Sequence, residues 1–225
     1  MDRTIDFYFD YLSPYAYLAW RRLPEVCRPR GVVIRPRPVL FAGLLNHWGQ
    51  LGPAEIPPKA RHVSRECARF AKLAGIPFRS PRYHPFRPLL ALRTSLVAPA
   101  DAQARMVTAI FEAGWARGED LGDAATIRTA IEEAGLNGDE LLRAAQAPEV
   151  KAALREETKA ATARGVFGIP TMCIEDELFW GLDQLKYVEL YLDGNDPLTD
   201  IDLKAISSQG QAVVRPQSVG RGAAE

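Results

Sequence analysis

Residues 4–15 read Thr-Ile-Asp-Phe-Tyr-Phe-Asp-Tyr-Leu-Ser-Pro-Tyr, and this stretch decides the start of the fold. Apolar and polar residues alternate from Thr4 to Tyr11, which predicts a β-strand. Ser13 suits a helix N-cap and Pro14 suits the first helical position, so a helix is expected from there to about Cys27. A second strand is predicted over Val32–Pro38, at a sheet edge because it contains prolines. The opening of the chain therefore predicts a βαβ unit.

The middle of the chain is helical in pattern, and the strands return near its end. Short strands are predicted at Thr171–Ile174 and Leu178–Trp180, followed by a last helix that Asp183 caps and that runs to about Leu192. Between the second strand and these short strands, six helices are predicted: Glu66–Gly75, Leu89–Val97, Asp101–Gly118, Asp123–Gly135, Asp139–Ala147 and Pro148–Arg164.

This order predicts an α/β protein with a thioredoxin-like sheet interrupted by an all-helical insertion, because the two β-rich ends must meet in one sheet. The expected thioredoxin-like domain is discontinuous, over 1–42 and 148–205, around a helical insertion over 43–147. Residues 206–225 are polar and rich in Gly, Gln and Ser, so they are expected to form a mobile tail.

Composition excludes several classes of protein. The 225 residues carry 28 basic and 28 acidic side chains, a balance that argues against nucleic-acid binding. No segment approaches the ~20 apolar residues of a membrane span, and the N-terminus lacks the pattern of a secretory signal. The three cysteines form no close pair and the three histidines lack ligand spacing, which favours a cytoplasmic protein without disulfides or a metal site.

Two segments carry the candidate chemistry. Thioredoxin-like oxidoreductases place a Cys-x-x-Cys motif at the start of the first helix, where the helix N-terminus stabilises a thiolate. This chain has Ser13-Pro14-Tyr15-Ala16 there, so a dithiol mechanism is excluded. In the second segment, Gly165–Thr171, Pro170 is expected to be cis, which leaves the Ile169 backbone open to pair with an extended peptide.

These segments, together with Phe179–Leu185, resemble the 2-hydroxychromene-2-carboxylate isomerase family over about residues 4–195. That family is glutathione-dependent and similar to kappa-class glutathione transferases and DsbA-type oxidoreductases. The resemblance implies a homodimer that isomerises a small aromatic carboxylate, with Ser13 donating a hydrogen bond to the glutathione sulfur. It also implies that glutathione is held by a second group of residues: Lys59, Ile169, Pro170, Leu182 and Asp183.

Two alternatives stay open at this point. Glutathione conjugation to electrophiles would use the same site, and a non-catalytic binding module would keep only the scaffold.

The chain departs from the family pattern at Gln50 and Arg87. The arginines of the segment 82–93 are expected to be solvated or to attract a carboxylate substrate.

Overall fold

A four-stranded mixed sheet organises the chain in this computed structural model, which describes residues 3–200. The strands are β1 (Thr4–Phe9), β2 (Val33–Pro38), β3 (Thr171–Ile174) and β4 (Glu177–Trp180), in the spatial order β2-β1-β3-β4. β1 pairs in parallel with β2 and antiparallel with β3, and β3 pairs antiparallel with β4. The two β-rich ends therefore form one sheet, with the proline-containing β2 at an edge as predicted.

Helices surround this sheet and fill the sequence between β2 and β3. In chain order they are α1 (Pro14–Cys27), α2 (Phe41–Trp48), α3 (Pro57–Ala74), α4 (Leu89–Val97), α5 (Gln103–Trp115), α6 (Ala124–Glu133), α7 (Gly138–Ala144), α8 (Pro148–Ala163) and α9 (Leu185–Leu192). A thioredoxin-like sheet with inserted helices, the predicted fold class, is confirmed. The exact domain boundaries stay a prediction, and the expected mobile tail lies outside the described residues.

Both faces of β1 are buried. Phe7 and Phe9 pack in the larger core with α1 and α5, while Tyr8 packs on the opposite face against Leu44 of α2 and Ala161 of α8. The alternation of β1 is therefore not a division between core and solvent. The strand is enclosed between helices on both sides, as is usual in α/β proteins.

Sequence reasoning missed some helical turns. It gave no helix at Phe41–Trp48, and it began the third helix at Glu66 rather than at Pro57. Pro57 and Pro58 occupy the first turn of α3, where the missing N–H of proline costs no hydrogen bond. Asp183 was expected to cap the last helix, and this is wrong. It lies inside a short 3₁₀ helix, Leu182–Gln184, and α9 begins after it without a side-chain cap.

Within residues 3–200, no helix is long and apolar enough to cross a membrane.

Candidate active site

Ser13 lies where the central strand passes into the first helix. It is the N-cap of α1, in extended backbone conformation, and its Oγ accepts a hydrogen bond from the Ala16 N–H at 3.1 Å. No described residue accepts a hydrogen bond from the Ser13 hydroxyl itself. The hydroxyl proton is therefore free for a bound group, although the side chain is only 8% exposed.

The loop before Ser13 is held from several parts of the chain. The Asp10 carboxylate accepts hydrogen bonds from the backbone N–H groups of Leu12 at 3.1 Å and Phe41 at 2.9 Å. The indole of Trp115 donates to the Tyr11 carbonyl at 2.8 Å. These bonds fix the direction in which the loop delivers Ser13 to α1.

Two further contacts complete this support. The Tyr11 hydroxyl and the Ser95 hydroxyl of α4 share a buried hydrogen bond of 2.7 Å. The His84 ring approaches the same loop, with its Nε2 atom 2.9 Å from the Leu12 carbonyl oxygen.

Asp10 is a titratable group that sequence reasoning did not single out. It is fully buried, and desolvation raises its pKa to about 7, although the two backbone hydrogen bonds oppose this rise. Asp6, in the preceding strand β1, is also buried, but Arg35 and Arg164 pair with it at 3.0 and 2.7 Å. Burial without a cationic partner therefore sets Asp10 apart.

The segment around Pro170 lies beside the Ser13 loop. Tyr8 is opposite Thr171 in the β1–β3 ladder, so the residues preceding β3 continue alongside those following β1. The Ile169–Pro170 peptide bond is cis, as predicted. The Ile169 backbone makes no hydrogen bond to any other described residue, which leaves it open for an added strand-like segment.

A tyrosine that sequence reasoning did not assign connects α1 to two other parts of the site. The Tyr15 hydroxyl donates a hydrogen bond to Glu66 of α3. Burial raises the pKa of Tyr15, and the nearby charges of Glu66 and Asp183 raise it further. Asp183 therefore lies within electrostatic range of the first turn of α1.

Three of the residues expected to bind glutathione differ in their exposure. Lys59 is exposed in the first turn of α3, seven residues before Glu66 and thus on the same helix face, about 10 Å away along the axis. Leu182 is buried next to the exposed Asp183, whose carboxylate accepts a hydrogen bond from Gln184 at 2.9 Å.

The rim next to Pro170 is aromatic. Trp180 is 50% exposed and its ring contacts Phe167 at 4.8 Å between centroids. Gly168 lies directly under the indole, where a Cβ atom would collide with the ring. An apolar, aromatic surface thus borders the open backbone of Ile169.

The cysteines take no part in this arrangement. Burial raises the pKa of Cys27 and Cys173 to about 11 and that of Cys67 to about 12. All three thiols are buried and protonated near neutral pH, as expected for apolar packing residues.

Comparison with known proteins places this arrangement in a family. The sequence profile of the DSBA-like thioredoxin domain matches residues 4–193. A 2-hydroxychromene-2-carboxylate isomerase of Sphingobium xenophagum is 34% identical over 85% of this chain and 99% of its own length. Glutathione S-transferase kappa 1 of Rattus norvegicus is 28% identical over 75% of this chain and 80% of its own. A solved structure of 2-hydroxychromene-2-carboxylate isomerase superimposes with a TM-score of 0.78 at 29% identity, covering 89% of this chain and 98% of that one.

Asp10 is buried without a cationic partner, so we predict that the free energy of unfolding depends on pH. Between pH 4 and about 7 the unfolded chain has lost the Asp10 proton while the folded chain keeps it, so the folded state binds more protons and its stability falls as pH rises. At about 1.4 kcal/mol per pKa unit, this amounts to several kcal/mol.

Urea unfolding of the wild type and of Asp10→Asn, measured from pH 4 to 8, tests this prediction. The difference in unfolding free energy between the two proteins should shift in favour of the variant as pH rises, and it should level off above about pH 7. Asp176→Asn, in the exposed β3–β4 turn, serves as the control and should follow the wild-type profile. Parallel profiles for Asp10→Asn and the wild type would contradict the assigned pKa.

Proposed function

The chain belongs to the DSBA-like thioredoxin family and, within it, to the 2-hydroxychromene-2-carboxylate isomerases, and from this membership we propose that it is a glutathione-dependent isomerase. Its substrate is 2-hydroxychromene-2-carboxylate or a related small aromatic carboxylate. The observation that carries the proposal is the free hydroxyl proton of Ser13 at the N-terminus of α1, beside the open backbone of Ile169.

The residues proposed for the site fit glutathione in their chemistry. The Ile169 amide and carbonyl offer strand-like pairing to the cysteinyl residue of an extended tripeptide, and Pro170 and the buried Leu182 shape the surface beneath it. Asp183 offers a carboxylate to the γ-glutamyl ammonium, and Lys59 offers an ammonium to a glutathione carboxylate. The charges therefore complement the two ends of the tripeptide.

Ser13 has the capacity to stabilise a thiolate. A hydrogen bond to a charged group contributes about 1.5–3 kcal/mol, and a helix N-terminus about 0.3–1 kcal/mol. At about 1.4 kcal/mol per unit, these contributions lower a thiol pKa of about 8.5 by one to three units. The Ala16 N–H donates to Oγ and occupies one acceptor position, so the hydroxyl proton remains available to the sulfur.

When bound, glutathione would supply a thiolate nucleophile for reversible addition to a conjugated double bond of the substrate, and it would be regenerated in each turnover. The chain contributes orientation. Ser13 donates a hydrogen bond to the sulfur at the N-terminus of α1, and the Ile169 backbone pairs with the tripeptide. The Phe167–Trp180 rim offers an apolar surface to the aromatic substrate. None of the three cysteines is required, since all are buried and protonated.

The kappa-class relatives favour glutathione transfer as the second candidate function, and stoichiometry separates the two. Isomerisation regenerates glutathione, so the free-thiol concentration stays constant while the ultraviolet spectrum changes from chromene to benzylidenepyruvate. Transfer consumes one thiol for each product. A chain that neither requires nor binds millimolar glutathione would instead be a binding module.

Replacing Ser13 by Ala should lower kcat for the isomerisation by about ten- to a hundredfold, because a hydrogen bond of about 1.5–3 kcal/mol to the sulfur is lost. Glutathione affinity should change little, since the tripeptide is held mainly by other residues. Ser13→Thr, which keeps the hydroxyl, should retain most activity.

Ser13 also caps α1, so the loss of a cap needs its own control. Asp123→Ala removes the cap of α6, where the carboxylate accepts from the Ala125 N–H at 3.1 Å. It should cost a similar stability of about 1 kcal/mol and leave kcat unchanged. Wild-type turnover in Ser13→Ala would remove this side chain from the mechanism.

Lys59→Met and Asp183→Asn should each raise the KM for glutathione roughly tenfold with little change in kcat, since a charge-assisted contact of about 1.5 kcal/mol is removed from binding alone. Lys72→Met, at the other end of α3, and Asp176→Asn are the matched controls and should leave both constants unchanged. Equal effects in target and control variants would withdraw these two contacts.

A further inference from the structure

A cavity that is separate from the Ser13 site lies between α2, α4 and α8. Its volume is about 430 Å³, which falls within the usual range of about 300–1,000 Å³ for small-molecule sites. None of the residues assigned to glutathione lines it.

The floor of this cavity is apolar and closely packed. Leu40, Leu89 and Leu154 contribute aliphatic side chains from three different segments. Thr158 is buried beneath them, but its hydroxyl is already satisfied, because it accepts from the Leu40 N–H at 3.0 Å and donates to the Leu154 carbonyl at 2.8 Å. The floor therefore favours an apolar body.

The rim is basic, and no acidic residue lines the cavity. Three of its basic side chains follow one stripe of α8 at intervals of four residues, and the others come from α2 and α4. They are His47, Arg93, Lys151, Arg155 and Lys159. Like charges four residues apart on a helix repel one another, so this stripe lowers the stability of α8 unless an anion is present.

Within the described part of the chain, the basic side chains of the rim have no carboxylate partner. Lys59 and Lys72 also lack one, but here five such side chains surround one cavity. Among the described residues, no salt bridge involves Arg93, Lys151, Arg155 or Lys159. By contrast, Arg30 pairs with Asp193 at 2.6 Å, and Arg164 pairs with Asp6. The rim is therefore a concentration of uncompensated positive charge in a protein whose net charge is zero.

Arg93 gives the cavity a specific hydrogen-bonding demand. Its Nε atom is buried without a hydrogen-bond partner in the described structure. Burial lowers the pKa of Arg93, and the nearby charge of Arg155 lowers it further. A buried donor without a partner is destabilising, and an anion placed in the cavity would interact favourably with the Arg93 guanidinium. Arg93 is thus not part of a solvated arginine cluster, unlike the exposed Arg82 and Arg87.

We propose that this cavity is a binding site for a small organic anion with an apolar body, such as an aromatic carboxylate, and that it is independent of the Ser13 site. The carboxylate lies against Arg93 and Arg155, and the apolar body lies on the leucine floor. This inference does not depend on the proposed catalytic function, since no residue is shared between the two sites.

Isothermal titration calorimetry of the full-length protein with 2-naphthoate tests the proposal, with neutral 2-naphthamide as the matched ligand. We expect 2-naphthoate to bind in this cavity at least tenfold more tightly than the amide does. Arg93→Met and Arg155→Met should each weaken 2-naphthoate binding at least fivefold, while Arg93→Lys, which keeps the charge, should lose less. Arg28→Met, an exposed arginine outside the cavity, is the control and should bind as the wild type does.

Independence from the Ser13 site is tested in the same titrations. Binding of 2-naphthoate should be unchanged in Ser13→Ala and in the presence of saturating glutathione. Loss of binding under either condition would assign the ligand to the Ser13 site and overturn the proposal. Equal affinity for the amide, no binding of 2-naphthoate at millimolar concentration, or an equal loss in Arg28→Met would do the same. Should an arginine variant fail to fold, Lys151→Gln and the amide comparison on the wild type decide the matter.

Discussion

The structure around Ser13 depends on how the loop after the central strand is held. This loop has a buried carboxylate at Asp10 and buried carbonyls, and each needs a hydrogen-bond donor. Apart from the loop's own N–H groups, the donors come from outside the β–α unit. They are Phe41 at the start of α2, Trp115 of α5 and the ring of His84. The inserted helices are therefore part of the support of the site, because they bury these polar groups and also supply their hydrogen-bond donors.

The same dependence explains which elements the sequence predicts. β3, α4 and the start of α1 carry local signals, namely β-branched residues, helical spacing and a Ser-Pro cap, and they are predicted to within a residue. α2 carries no such signal. Leu40 precedes it without a side-chain cap, and its first N–H is satisfied by Asp10, thirty-one positions away. A helix whose first N–H is bonded by a residue of a distant loop cannot be recognised from its own residues.

Some features of the candidate site can likewise be predicted from the sequence, and others cannot. Ser13 and the cis bond before Pro170 follow from short motifs, whereas the burial of Asp10 does not. Alternation along β1 places Asp10 with Asp6 and Tyr8 on a face that sequence alone makes half-exposed, and only the packing of α2 and α8 encloses it. The basic stripe of α8 is visible in the sequence as lysine and arginine at intervals of four. The walls that turn this stripe into a cavity come from α2 and α4, which no local pattern connects to it.

Serine stands at the N-terminus of α1 in this chain, where thioredoxin-like oxidoreductases have a reactive cysteine. This difference changes the chemistry that the fold supports. A thiol in that position is activated by the helix N-terminus and acts by exchanging electrons, so its behaviour depends on its reduction potential. A hydroxyl has no such chemistry, and the thiols of this chain are buried with raised pKa values. Under the proposed function the sulfur arrives on another molecule, and the helix end still stabilises its negative charge. The reactivity of the site then depends on how that molecule is bound and no longer on a reduction potential. The backbone of Ile169, which has no hydrogen-bond partner of its own, therefore has a role as large as that of Ser13.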